Sequence, residues 1–342
     1  MVARHERARS HEVVGSALLV IALIAIQFVM VSAYAWSATS TAPRDLPVAV
    51  AGSPAAIATV TAELDHAAPG AFRVIPAATQ TQAVQDIKTR ETYGAIVVEG
   101  RTPKVLIAPA ASPAAANVLT GLADKMDGIP QADITNVVPA SAADPNGVGF
   151  GFTVLPLMIT SVIAGALLSL RIRRVSHRIP ALIVYAAAGG LITTAVAHTW
   201  LGIYPGSFGA LAGATGLAVL AVAAAVSGLG HIASHFGKTT AGVVLGSATI
   251  MLIGNPFSGM DSAPQMLPGG WGTIGQYLPT GAVTTLLRSV AYFDGVATTH
   301  AWLVLSVWAA AGLALLLTRR RTPATIASSP PESAPFTVAV GQ

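Results

Sequence analysis

The feature that most constrains this chain is a series of long apolar runs. The first extends from Val13 to about Trp36, and five more follow at about residues 148–170, 179–201, 208–230, 239–257 and 299–318. A helix of about 20 apolar residues is long enough to cross the hydrocarbon core of a bilayer. Charged residues make up 10% of the chain, whereas soluble domains contain about a quarter. The sequence therefore predicts a polytopic membrane protein with six spans.

The amino-terminal run has two interpretations. Three arginines lie within residues 1–12, as expected of a cytoplasmic segment that precedes a first span at residues 13–36. Ala33-Tyr34-Ala35, with a small residue at each end, is also typical of a signal-peptide cleavage site. The apolar run is longer than the roughly 7 to 15 residues of a signal core, which favours a retained anchor.

Residues 37–147 have a different composition and contain 10 of the 15 acidic residues. Alternating and helical apolar patterns predict a soluble α/β domain here, inserted between the first and second spans. Its predicted strands are 46–51, 72–76, 95–99, 104–108 and 134–138, and its predicted helices are 54–66, 81–91 and 113–126. The predicted fold class is thus an all-α six-span membrane bundle, residues 148–318, with an inserted extracytoplasmic α/β domain.

The basic residues predict the orientation. Those that flank the apolar runs, including Arg4, Arg7 and Arg9, all fall on one side if there are six spans, and the positive-inside rule assigns that side to the cytoplasm. We therefore expect both termini to be cytoplasmic, in the plasma membrane of a bacterium, with a disordered tail at residues 319–342. The clusters after the first span are Arg171, Arg173, Arg174 and Arg178, then Lys238, then Arg319 to Arg321.

The segment 254–294 separates the last two apolar runs and predicts a short return helix at residues 279–293. Pro279 suits the first turn of a helix. Apolar and polar residues occupy opposite arcs of the helical wheel, which indicates a helix lying in the outer membrane interface. The apolar arc is Val283, Leu286, Leu287 and Val290, and the polar arc is Thr284, Thr285, Arg288 and Ser289.

No motif predicts catalysis, a cofactor or a metal in this chain, so we expect no enzyme. Cysteine is absent, which excludes thiolate chemistry and disulfides. Gly237-Lys238-Thr239 lacks the earlier glycine of a phosphate-binding loop, and His231 and His235 at i, i+4 lack further metal ligands. His66 is the only histidine of the α/β domain. The basic residues favour topology signals over nucleic-acid binding.

Ionisable side chains are missing from the interiors of the predicted spans. Carriers driven by ion gradients place such groups near the membrane midplane. A transport role would therefore require energy from a separate cytoplasmic ATPase. The basic loop at 171–178 is either an anchor on anionic lipid headgroups or a docking surface for that partner, and both interpretations remain open.

Three stretches resemble the ABC-2 type permeases, in particular the branch of phage-infection-protein-like bacterial membrane proteins. They are Leu46 to Val50, Phe152 to Pro156, and Gly254-Asn255-Pro256 through Leu287-Arg288 to Asp294. The resemblance implies a homodimer or a pair of permease chains, with ATP bound on separate subunits. It also implies that the loop of Arg171 to Arg178 docks those subunits, and that the return helix with Arg288 caps the outer end of the path.

Two alternative functions, from different classes, therefore remain open. In the first, the chain is the permease subunit of an ATP-driven exporter of lipid, peptide or other amphipathic compounds. In the second, it transports nothing and is a membrane-anchored surface interaction protein or secretion scaffold acting through its extracytoplasmic domain.

Overall fold

The computed structural model describes residues 2–98, 103–123 and 134–319. Predictions that concern other residues, such as the tail from residue 320 and the end of the helix expected at 113–126, lie outside the described residues. The described helices are α1 (Val2–Thr39), α2 (Pro54–Ala67), α3 (Gln80–Lys88), α4 (Pro113–Ala123), α5 (Val148–Arg171), α6 (Val175–Thr194), α7 (Phe208–Ser234), α8 (Thr239–Ala248), α9 (Trp271–Gly275), α10 (Pro279–Tyr292) and α11 (Thr299–Leu316). The described strands are β1 (Leu46–Gly52), β2 (Phe72–Ala77), β3 (Gly94–Val98), β4 (Lys104–Ile107) and β5 (Ile134–Asn136).

The described strands form one sheet that lies between α1 and α5 in the chain, in the order β2-β1-β3-β4-β5. β1 pairs in parallel with β2 and β3, β4 is antiparallel to β3, and β5 is parallel to β4. β1 is buried on both faces because Val50 packs with α2 and Ala49 packs with α3. The strands and helices predicted here are confirmed within the described residues, and the structure adds their order.

Short polar side chains fix where several helices begin. The Ser53 hydroxyl accepts a hydrogen bond from the amide of Ala56 at the start of α2, and Thr79 caps α3 in the same way. The carboxylate of Asp144 accepts from the amides of Val148 and Gly149, at 3.0 and 2.8 Å. A carboxylate also suits the positive end of a helix dipole. The turn before α5 therefore positions that long helix as well as ending the sheet domain.

Five described helical segments are long and apolar enough to cross a membrane. They are Ser16–Thr39, Val148–Arg171, Val175–Trp200, Phe208–Ser234 and Thr299–Leu317. The remaining predicted span, 239–257, forms α8 and a π-helical continuation, Thr249–Gly254, which together make a shorter apolar helix. The structure thus contains five candidate spans, and the count of six stays a prediction.

α7 is the central helix, and α5, α6, α8, α10 and α11 all pack against it. Small residues permit this packing, as is common between membrane helices. A Cβ atom on Gly312 of α11 would lie 2.4 Å from the carbonyl carbon of Ala224, and one on Gly190 of α6 would lie 2.6 Å from the carbonyl oxygen of Ala212. The backbones of these helices therefore approach each other only because no side chain intervenes.

α10 has nearly the predicted bounds but not the predicted surroundings. The sequence suggested one face in lipid and one in water. Instead, Leu286 and Leu287 lie in the core of the helical region, and Arg288 and Ser289 on the other arc are buried too. Both arcs of α10 are thus largely covered by protein. The sequence did not predict this cover, because a helical wheel does not distinguish an apolar face that meets protein from one that meets lipid. The position of α10 at the outer membrane interface stays a prediction.

Candidate functional site

The polar arc of α10 joins the sheet domain to the helices, and Arg288 is at the centre of this joint. Its side chain is 4% exposed. One terminal nitrogen donates to the carbonyl oxygen of Ala111, which precedes α4, at 3.0 Å, and the other donates to that of Met260 at 2.7 Å. The guanidinium carbon lies 4.5 Å from the centre of the Phe150 ring on α5. One side chain therefore connects the sheet domain, the 255–262 segment and two helices.

A second arginine, Arg90, reaches α10 from the sheet domain. It follows α3 at a positive φ of 62°. Its guanidinium donates to the carbonyl oxygen of Thr285 at 3.1 Å and to the hydroxyl of Ser289, and it lies 5.2 Å from the centre of the Phe293 ring. Arg90 therefore contacts the polar arc of α10, the arc on which Arg288 also lies.

The charges of these two arginines are not neutralised by contact. Their hydrogen-bond acceptors among the described residues are carbonyl and hydroxyl oxygens, and no carboxylate oxygen is among them. Burial, with a contribution from the charge of Arg90, lowers the pKa of Arg288 to about 10. Burial likewise lowers the pKa of Arg90 and raises that of the neighbouring Tyr93. Arginine side chains stay protonated in proteins, so this joint holds two guanidinium charges close enough to affect each other.

A cleft of about 360 Å³ opens beside Arg90, between the sheet domain and the segment 264–300. We call it the Arg90 cleft. The side chains around it are polar but include no acidic residue: Arg90, Tyr93, Gln265, Thr273, Gln276 and His300 are among them. The hydroxyl of Tyr93 donates to the side-chain oxygen of Gln265 at 3.0 Å, and Gln276 accepts from the hydroxyl of Thr285. Because the side-chain oxygen of Gln265 accepts this hydrogen bond, its amide nitrogen is the group that can donate to a further acceptor.

A second cavity, of about 350 Å³, lies between α1 and the 255–262 segment. Asn255 donates to the hydroxyl of Tyr34 at 2.6 Å, and that hydroxyl lies 3.4 Å from the carbonyl oxygen of Met251. Trp36 of α1 packs edge-on against Phe257. The carboxyl-terminal end of α1 is thus held by polar and aromatic contacts, whereas the described apolar side chains nearer its middle, such as Ile24 and Phe28, are exposed.

The predicted docking loop contains two kinds of arginine. Arg171, Arg173 and Arg174 are exposed. Arg178 is 4% exposed, and its guanidinium donates to the carbonyl oxygens of Ser169 and Ile172. It therefore satisfies carbonyl groups at the end of α5, which have no partner within the helix. The structure does not place Arg178 on the surface that the other three share.

The histidines singled out in the sequence lie on two different helices, α2 and α7, or directly after the second one. The rings of His231 and His235 lie 5.0 Å apart, and His231 hydrogen-bonds through Nε2 to the carbonyl oxygen of Thr318. Within the described residues, no group of three or more candidate metal ligands occurs. His66 is exposed near the end of α2. His66 is therefore on a different element from the His231–His235 pair.

The helices also have two chemically different ends. α5 has 24 residues, so Arg171 lies about 35 Å along the helix from Val148, which adjoins the sheet domain. The contact between His231 and Thr318 brings the ends of α7 and α11 together, and Lys238 and Arg319 follow those helices. Exposed basic residues thus gather at the end of the helices that is far from the sheet domain.

These features define a class: a mostly helical, membrane-embedded protein with several apolar helices and a small sheet domain. No family model matches the chain, and neither a curated protein nor a solved structure matches it. The resemblance to ABC-2 type permeases therefore remains a prediction made from the quoted residues.

Sequence reasoning found Arg288 but missed Arg90 and Tyr93. Arg288 was identifiable because it is the charged residue on the polar arc of a short amphipathic pattern between two apolar runs. Arg90 follows a short helix in a soluble domain, where an arginine is ordinary. Its role depends on a contact between residues 195 positions apart, which no local pattern records.

Proposed function

We propose that this chain is the permease subunit of an ATP-driven exporter, with a separate cytoplasmic ATPase and an amphipathic cargo such as a lipid or peptide. In this proposal the chain crosses the bacterial plasma membrane six times, pairs with a second permease chain, and has cytoplasmic termini. The sheet domain is on the outer side, and the loop of Arg171, Arg173 and Arg174 is on the cytoplasmic side.

One observation carries the proposal: the apolar helices have uncharged interiors, and their exposed arginines gather at the end opposite the sheet domain. A carrier coupled to protons or sodium needs ionisable groups within the spans. The described helices offer none there, since Arg171 and Arg178 lie near helix ends. An external source of energy acting at the basic end is consistent with this distribution.

The joint at α10 favours transport over the alternative of a surface interaction protein. A binding domain that needs only an anchor can be attached by a linker. Here, buried arginines connect the sheet domain to α5 and α10, and α10 packs against α7 and α11. A movement of the helices would therefore be transmitted to the sheet domain.

The test is to purify the tagged chain from its native membrane in mild detergent and identify co-purifying proteins by mass spectrometry. We expect a cytoplasmic ATPase that is lost when Arg171, Arg173 and Arg174 are all changed to Ala. A matched control changes Arg73 and Lys88, two exposed basic residues of the sheet domain, and should retain the ATPase. Recovery of only envelope proteins, lost on changing the sheet domain, would contradict the exporter and favour the surface interaction protein.

A further inference from the structure

The Arg90 cleft is a polar, positively charged pocket without an assigned occupant. It contains an arginine with no carboxylate among its hydrogen-bond partners, and its lining includes no Asp or Glu. Arg288 is close enough for the two arginine charges to affect each other. A site of this kind attracts an anion, and arginine favours phosphate because its planar fork matches the phosphate oxygens.

Two other groups around the cleft are hydrogen-bond donors suited to phosphate oxygens. They are the amide nitrogen of Gln265 and the ring of His300. The hydrogen bond from Tyr93 holds the oxygen of Gln265 and so orients its amide. The cleft also adjoins the first turn of α11 through Ala297 and His300, where the helix dipole favours negative charge.

The position of the cleft indicates a lipid as the source of the phosphate. Tyr277 borders the cleft and is 60% exposed, and Trp308 of α11 donates through its indole nitrogen to the carbonyl oxygen of Tyr277. Tyrosine and tryptophan are enriched where membrane helices meet the headgroup region. The cleft therefore lies at the depth at which a lipid phosphate is found.

An exposed apolar stripe leads away from the cleft along α11. His300, Leu303 and Val307 share one face of the helix, and the latter two are 60% and 64% exposed. The stripe continues with Ala310 and Ala314 at helical spacing, and both are exposed. An acyl chain can lie along this face while the phosphate of the same lipid occupies the cleft. Binding of a free phosphate ion would not involve this apolar face.

We propose that the Arg90 cleft binds the phosphate of an anionic lipid headgroup, with an acyl chain of that lipid lying along α11. Arg90 supplies the charge, Gln265 and His300 supply hydrogen bonds, and Thr273 lies at the exposed rim of the cleft. This site does not depend on the proposed exporter, because a bound structural lipid would use the same contacts.

The test is native mass spectrometry of the full-length protein in detergent, titrated with dioleoylphosphatidylglycerol. Thr273→Glu places a carboxylate at the exposed rim of the cleft and removes no buried contact. We expect it to lose one tightly bound lipid per chain, a weakening of about tenfold or more for a like charge a few ångström away. Thr273→Gln is the matched neutral control and should bind like the wild type.

Two further sets of measurements, on Arg90 variants and on a phosphate without an acyl chain, separate the possible outcomes. Arg90→Gln should lose the same lipid, and Arg90→Lys should retain part of the binding. Glycerol 3-phosphate should bind far more weakly than the lipid, since it has no acyl chain. Any one of four results would overturn the proposal. They are wild-type lipid retention in Thr273→Glu, an equal loss in Thr273→Gln, equal retention of dioleoylphosphatidylcholine, and glycerol 3-phosphate binding as tight as lipid binding. The Thr273 pair keeps the test valid even if Arg90→Gln fails to fold.

Discussion

At the scale of single residues, the arginines of this chain divide into exposed and buried ones with different tasks. Arg171, Arg173 and Arg174 face outward, whereas Arg178 and Arg288 donate to backbone carbonyl groups in the interior. A buried cation loses its hydration and is stable only if its hydrogen bonds are replaced. The buried arginines therefore hold elements together, and the exposed ones are available to partners.

The buried role of Arg288 predicts the effect of Arg288→Leu. The carbonyl groups of Ala111 and Met260 would lose a donor, at a cost of about 1–3 kcal/mol for each one left buried and unpaired. We expect a lower melting temperature of the purified protein, followed by intrinsic tryptophan fluorescence. Arg73→Leu, a change at an exposed arginine of β2, should leave the melting temperature nearly unchanged. Equal melting temperatures for the two variants would show that Arg288 does not stabilise the joint.

At the scale of elements, local patterns predicted where helices and strands lie but not what covers them. Strand alternation and the Ser53 and Thr79 caps depend on neighbouring residues, so the sheet domain was predictable within the described residues. The enclosure of α10 depends on Ala111 and Arg90, which are far away in the chain. The order of the sheet and the central position of α7 also arise from distant contacts, which a single sequence does not record.

The close packing of α11 on α7 predicts that Gly312→Ala is destabilising. The new methyl group would meet the backbone of Ala224 and force the helices apart, at a cost of about 1–3 kcal/mol. Gly213→Ala on α7 is the matched control, because a Cβ atom there meets nothing within 4 Å and alanine favours a helix. Thermal unfolding of both variants in the same detergent checks the difference. A Gly312→Ala protein as stable as Gly213→Ala would mean that the two helices are not in such close contact.

At the scale of the whole molecule, the chain has two ends with different chemistry. The sheet domain, the Arg90 cleft and α10 lie at one end, and the exposed arginines of residues 171–174 lie at the other. Apolar helices without charged interiors connect them. The proposed exporter requires that these ends face opposite sides of the membrane, with the basic end toward the ATPase.

The most direct test of this arrangement is cysteine labelling in intact cells, which is simple because the natural chain has no cysteine. Ala62→Cys on α2 and Ser176→Cys on α6 each introduce a thiol at an exposed position, one at each end. A membrane-impermeant maleimide should label Ala62→Cys in intact cells, and it should label Ser176→Cys only after permeabilisation. The reverse pattern, or labelling of both variants in intact cells, would contradict the proposed orientation and the exporter built on it.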